Sequence, residues 1–173
     1  GDEGGDLVGG DLVGAVGGYD VAAQQDVPAS GGGDGWSVGE YAETDAVGIV
    51  FFGSFSAYMD AGRIDYLNNL GLQRLDGHVR DLIPGAVVRA HLDFRAPARY
   101  NDVVLIHVRM ARLGRTSYTF HFLMTQKRTR DVVALGELTL VWLDAAFRPV
   151  PLPEEFRRAV QAFEGPNVQV AST

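Results

Sequence analysis

A single carboxylate placed ahead of a helix is the most chemically suggestive arrangement in this 173-residue chain. Asp45 ends a Glu-Thr-Asp turn, and Gly48-Ile49-Val50-Phe51-Phe52 separates it from a segment of helical periodicity that begins near Gly53. A carboxylate in that place can attack a carbonyl carbon or take a proton from water. The unpaired N–H groups of the helix's first turn can then receive the charge forming on the carbonyl oxygen, helped by the helix dipole. The same residue in the same place is equally an ordinary turn or capping residue, so Asp45 alone fixes no chemistry. Glu43 reads as a solvated or structural partner. Asp60, three residues before Arg63, reads as half of an i,i+3 surface ion pair.

The remaining reactive side chains exclude more than they offer. His78, His91, His107 and His121 fall on a loop and three strands without ligand spacing, so no metal site is expected. The chain has no cysteine, which removes disulfides, thiolate metal sites and cysteine nucleophiles, and suits a reducing, cytoplasmic compartment. There is no Gly-x-Ser-x-Gly elbow for a serine hydrolase. Arg112, Arg115, Lys127, Arg128 and Arg130 read as gathered around one hairpin, where they are solvated strand ends or a site for phosphates.

The elements that must position these groups follow from periodicity. Phe55, Tyr58 with Met59, Gly62, Tyr66 and Leu70 recur at three-to-four spacing, which predicts one helix from about Gly53 to Leu70, with Gly71 as its terminator. A short strand is expected over Trp36 to Ala42. Residues 87–95 alternate, with Val88, Ala90, Leu92 and Phe94 on one side and Arg89, His91, Asp93 and Arg95 on the other. Val103 to Met110, Tyr118 to Met124 and Val132 to Leu143 read as further strands, the first two joined by a turn at Leu113-Gly114-Arg115. Pro149, Pro151 and Pro153 then break the pattern before a short helix from Glu154 to Phe163, closed by Gly165-Pro166. One long helix against about five strands makes an α+β layer arrangement, with the helix covering one face of an antiparallel sheet.

Residues 1–35 differ from the rest. They hold 12 of the 22 glycines, a near-repeat Gly-Asp-Leu-Val-Gly, seven acidic residues and no Lys or Arg. We read them as a flexible Gly/Asp-rich tail or linker, because so much glycine raises the entropy of ordering. A phosphate-binding glycine loop would need a strand before it and a helix after it, and neither is evident. The net charge of −7 belongs to this segment, and residues 36–173 balance at 15 acids against 15 bases. No basic field for nucleic acid is therefore expected. No apolar run is long enough to span a bilayer and no secretory leader opens the sequence. The expected organisation is a tail over 1–35, a domain over 36–165 and a C-terminal tail over 166–173.

Several collinear motifs then coincide. Glu43-x-Asp45-x-x-Gly48-Ile49-Val50, the aromatic Phe52 and the helical Arg63 are followed by Phe94-Arg-Ala-Pro-Ala-Arg-Tyr-Asn-Asp-Val (94–103), Arg112-Leu-Gly-Arg-Thr-Ser-Tyr-Thr-Phe (112–120) and Leu152-Pro153. Over residues 36–163 this resembles the hotdog-fold acyl-CoA thioesterases typified by 4-hydroxybenzoyl-CoA thioesterase. Gly53 and Phe55 depart from a stretch that is often more polar or tyrosine-bearing in that family. The resemblance implies an antiparallel sheet wrapped around one long central helix. It also implies a homodimer or homotetramer with sites at the subunit interface, an acyl-CoA or acyl carrier protein thioester as substrate, and no metal or redox cofactor.

Within that resemblance Asp45 is the catalytic carboxylate, Phe52 the backbone N–H donor to the oxyanion, and Gly48 the tight turn between them. Phe51 and Phe55 are candidates for the acyl pocket, and Phe52 could line it with them, although the spacing of all three reads first as ordinary core. Arg112, Arg115 and Ser117 are candidates for binding CoA. The chemistry asks little more of the protein: a thiol leaving group with a pKa near 8.5 departs as thiolate with little protonation. Whether Asp45 is nucleophile or general base is left open by the sequence. Two alternatives stand beside hydrolysis. One is a non-catalytic acyl-CoA-binding module. The other is a hotdog dehydratase or hydratase, which would want a histidine near the helix entry, and none lies between Trp36 and Leu70.

Overall fold

A computed structural model describes residues 36–37, 45, 48–70 and 85–171. In chain order the elements are β1 (Trp36–Ser37), α1 (Ser54–Asn69), β2 (Gly85–Phe94), β3 (Val103–Leu113), β4 (Ser117–Gln126), β5 (Val132–Trp142), α2 (Glu154–Glu164), a 3-10 turn (Gly165–Asn167) and β6 (Gln169–Val170). The sheet runs β1-β3-β4-β5-β2, antiparallel throughout, with β6 added in parallel to β3 at Arg112 and Leu113. Both helices pack on one face of this sheet, which is the α+β hotdog arrangement expected from the sequence.

Alternation makes that face. Ile106, Val108 and Met110 of β3, Phe120, Phe122 and Met124 of β4, and Ala134, Leu138 and Leu140 of β5 all join the core under α1. Burying each large side chain contributes roughly 1.5–3 kcal/mol. Two glycines set how closely α1 approaches. A Cβ on Gly62 would lie 2.8 Å from a methyl of Val108, and one on Gly136 would lie 2.5 Å from the Met59 sulfur. The helix presents Phe55, Tyr58, Met59, Gly62, Tyr66 and Leu67 inward, close to the predicted face, and adds Asp65, which is also buried. Gly71, Glu43, His78, most of the strand predicted over 36–42 and the whole segment 1–35 lie outside the described residues.

Three expectations change. First, β2 alternates as predicted only from Arg89 onward: a bulge between Val87 and Arg89 displaces Val88. Most of the strand is exposed on both faces, including Val87, Val88 and Phe94, because β2 is the end strand of the sheet among the described residues. Second, residues 166–171, read as a tail, carry the 3-10 turn and β6 and are tied to β3. Third, the five basic residues do not share one hairpin. Arg112 and Arg115 flank the β3–β4 turn, whereas Lys127, Arg128 and Arg130 lie in the β4–β5 turn at the opposite end of β4. Ten residues of strand, about 30 Å, separate the two turns.

The end of α2 is pinned from inside. Glu164 is 4% exposed, and its Oε1 accepts from the Tyr66 hydroxyl of α1 at 2.6 Å and from the Met110 N–H of β3 at 2.7 Å. Met110 adjoins the β3 bulge at Ala111. Burial pushes the Glu164 carboxyl up from its ordinary range, against the pull of those two hydrogen bonds. Burial and the neighbouring Glu164 together raise the Tyr66 phenol.

Candidate active site

Asp45 stands at the start of a closed turn. Its N–H donates to the Ile49 carbonyl at 2.8 Å, and its carbonyl accepts from Gly48 at 3.0 Å. Its Oδ1 lies 3.4 Å from the Ile49 N–H. Gly48 has φ +77°, and a Cβ there would meet nothing within 4 Å. Backbone conformation, not crowding, is what asks for glycine at this position. Val50 N–H then bonds the Ala98 carbonyl at 2.8 Å and Ile49 bridges Arg99, so the turn is clamped to the loop after β2.

The chain enters α1 immediately afterwards. Ser54 N–H bonds the Phe51 carbonyl, and Phe55 N–H bonds the Phe52 carbonyl. Among the described residues no acceptor takes the Phe52 N–H, which belongs to the unpaired donors at the helix's positive end. Phe52 and Phe51 lie outside the core, 66% and 47% exposed, with ring centroids 4.5 Å apart. That corrects their reading as core residues. They stand on the exposed approach to the helix, where nothing in the described chain covers them. Phe55 is buried at 3% and meets Phe94 edge to face at 5.1 Å.

These groups enclose a cavity of about 430 Å³ lined by Asp45, Ile49, Val50, Phe52, Phe55 and the stretch Phe94–Ala98. Asp45 and Phe52 therefore face one space, with Phe55 in its wall, while Phe51 and Gly48 are outside the lining. Among the described residues no histidine lines the cavity. Among the described residues no cluster of three His, Asp or Glu side chains could hold a metal ion. Arg112, Arg115 and Ser117 are not brought to this cavity within one chain. They sit at the Gly85–Trp142 end of the sheet, whereas the cavity lies at the Phe94–Ala134 end. The β4–β5 turn with Lys127, Arg128 and Arg130 is at the cavity's end instead, where Arg95 and Ala96 bond the Val133 carbonyl.

The model of the thioesterase superfamily matches residues 47–133, half of the chain, beginning two residues after Asp45 and reaching the start of β5. The chain belongs to the thioesterase superfamily. A thioesterase of Thermus thermophilus, solved in complex with coenzyme A and zinc, superposes with a TM-score of 0.63 at 32% identity, covering 75% of this chain and 92% of that one. YneP of Bacillus subtilis, whose name assigns it provisionally as an acyl-CoA thioesterase, is 26% identical over 47% of this chain and 59% of its own length. The chloroplast acyl-acyl carrier protein thioesterase ATL3 of Arabidopsis thaliana is 24% identical over 66% of this chain and 60% of its own. The matches span 59–66% of the length of such curated relatives. This thioesterase-superfamily chain has, among its described residues, no helix long and apolar enough to cross a membrane.

Two features, one in the site and one outside it, were not foreseen. The Phe94–Ala98 wall was noticed as a motif without a role, although a Pro-containing stretch directly after an alternating strand marks where a chain leaves a sheet edge. Glu164 gave no signal at all, being one glutamate in a polar helix.

Proposed function

We propose that this chain hydrolyses acyl thioesters of coenzyme A, with the acyl group in the apolar cavity and the thioester carbonyl between Asp45 and the Phe52 N–H. The observation that carries the proposal is that, among the described residues, Asp45 is the one carboxylate in the cavity lining and Phe52, whose N–H has no acceptor there, lines the same space. The oxygen of one water ends on the carbonyl carbon, the carbon–sulfur bond breaks, and the sulfur leaves as thiolate. Asp45 either draws the proton from that water or attacks the carbon first and is released by water afterwards. The Phe52 N–H and the dipole of α1 hold the charge on oxygen in either route. Among the described residues the lining holds no histidine, which disfavours the dehydratase reading.

The proposal includes a homodimer. Among the described strands β2 ends the sheet, and it bears Val87, Val88 and Phe94, the kind of edge that adds a second copy. Antiparallel pairing of β2 with its two-fold mate sets the Phe94 end of one chain beside the Gly85 end of the other. The partner's β3–β4 turn then approaches this chain's cavity, which gives Arg112, Arg115 and Ser117 a route to the phosphates of a CoA bound there. The ATL3 relationship keeps acyl carrier protein as a second possible thiol carrier.

A panel of acyl-CoAs with detection of free thiol tests the reading. Wild type should release thiol, and Asp45→Asn should lose about 10²–10⁴-fold in turnover with folding and acyl-CoA binding retained. Unchanged turnover in Asp45→Asn removes Asp45 from the chemistry. Binding without release in wild type makes the chain a sensor.

A further inference from the structure

The connection between β5 and α2 carries the most exposed large apolar side chain among the described residues. Phe147 is 82% exposed and has φ +58°, left-handed backbone that residues bearing a Cβ rarely adopt. The loop is built to hold it there. Leu143 bridges Pro149, the Asp144 N–H donates to the Arg148 carbonyl at 3.0 Å, and the Phe147 N–H donates to the Asp144 carbonyl at 2.9 Å. The Asp144 carboxylate fills the turn, accepting from the Ala146 and Arg148 N–H groups at 2.9 Å each and from the Arg148 guanidinium. A glycine would relax this backbone, and a polar side chain would suit the water around it. A braced loop that keeps a large ring in solvent against its own conformational preference marks a contact point.

The ring stands alone, since its exposed neighbours are Ala145, Ala146, Arg148 and Pro149. One isolated ring suits a single planar group better than a protein face, which would ask for an apolar patch. The chemistry beside it is basic. The Trp142 N–H bonds the Thr116 carbonyl and the Leu152 N–H bonds the Arg115 carbonyl, so the chain on both sides of the loop is tied to the β3–β4 turn. Arg157 of α2 adds its guanidinium to that turn by donating to the Gly114 and Arg115 carbonyls. Beyond the Asp144–Arg148 pair, Arg112, Arg115, Arg157 and Arg158 stand against Glu154 and Glu155.

We propose that Phe147 is the platform on which the adenine base of coenzyme A stacks, while Arg112 and Arg115 take its phosphates. The inference rests on coenzyme A being the thiol carrier, as proposed above. Stacking needs only an accessible ring face, and arginine forks suit phosphate oxygens. In the homodimer proposed above, the ring and basic turn of one chain serve the cavity of the other.

Calorimetric titration of the full chain with CoA and with adenosine bisphosphate is the test. Phe147→Gly should weaken both about tenfold or more, the size of one lost base stack. Phe147→Trp should bind at least as tightly as wild type. The melting temperature of Phe147→Gly should not fall, because glycine accepts positive φ, so weaker binding is not lost folding. The KM for acyl-CoA should rise in step with kcat unchanged, and an acyl-pantetheine, which lacks the nucleotide, should not respond. Unaltered CoA affinity in Phe147→Gly overturns the proposal. So does a shift of that variant from dimer to monomer in sedimentation, which assigns the ring to a subunit contact. The two readings fail separately. Phe147-dependent CoA binding without thiol release removes hydrolysis and keeps the platform, whereas thiol release with an unaltered acyl-CoA KM in Phe147→Gly does the reverse.

Discussion

Replacing Glu164 with Ala removes one oxygen that serves two donors on two other elements, the Tyr66 hydroxyl and the Met110 N–H. Both donors are buried, and each left unpaired costs about 1–3 kcal/mol, so the pair sets a loss of about 2–6 kcal/mol. Water entering the vacated space and relief of the carboxylate's own burial place the outcome in the lower half of that range. For a domain of this size about 2–4 °C of melting temperature accompanies each kcal/mol. Glu164→Gln keeps the accepting oxygen and should lose less. The two variants also differ in pH response. Burial raises the folded-state pKa of Glu164, so its contribution is fully present below the unfolded value of about 4.3 and is lost as pH rises through the folded value. The gap between wild type and Glu164→Gln should therefore shift in favour of Gln as pH climbs above about 4.3. Chemical denaturation of all three chains across that range provides the measurement. A Glu164→Ala chain within about 0.5 kcal/mol of wild type, the range of a surface change, would refute the pinning argument.

Other consequences follow from the packing and the edge. Gly136→Ala drives a Cβ against the Met59 sulfur and should cost about 1–3 kcal/mol by denaturant melt, with Met59→Ala in the same chain recovering part of it. Gly48→Val should lower thiol release more than Gly48→Asn, since only the latter tolerates positive φ with open space around it. Val88→Lys should turn dimers into monomers in sedimentation and lower turnover in parallel, because a lysine blunts an edge strand.

The fold was legible where local pattern and tertiary role agree. The α1 face, the β3–β4 turn and the run of strands follow from periodicity that the core enforces, as the burial of Phe120, Phe122 and Leu140 shows. It was less legible where a residue's partner lies far along the chain. Glu164 meets Tyr66 across 98 residues, and no local rule places them together. The alternation of β2 was readable, but the exposure of Phe94 and Val87 was not, since whether an apolar stripe faces the core or an edge depends on strand order. The five basic residues clustered in the sequence on either side of one strand, and strand length alone carries the two groups to opposite ends of the sheet. Asp45 and Phe52 were accessible because the turn and the helix start are contiguous in sequence. The cavity's far wall, Phe94–Ala98, is brought in by the sheet and shows only in three dimensions.

The separation of Arg112 and Arg115 from Asp45 makes the shared-site dimer testable without a structure of it. If the partner's β3–β4 turn serves this chain's cavity, two defective chains can complement each other. A chain with Asp45→Asn keeps a sound basic turn, and a chain with Arg112→Glu and Arg115→Glu keeps a sound carboxylate. In their heterodimer one site combines the intact carboxylate of the second chain with the intact turn of the first, and the other site has neither. Random exchange makes half of the dimers mixed, so about a quarter of wild-type sites should reappear from two nearly silent proteins. The assay is thiol release before and after unfolding and refolding the mixture together, with each chain refolded alone as control. If the basic turn acts within its own chain, every site in the mixture lacks one component, and mixing restores nothing. A site that needs only the β4–β5 turn of its own chain gives a third pattern: the double arginine variant is then already active before mixing, which removes the partner's turn from CoA binding.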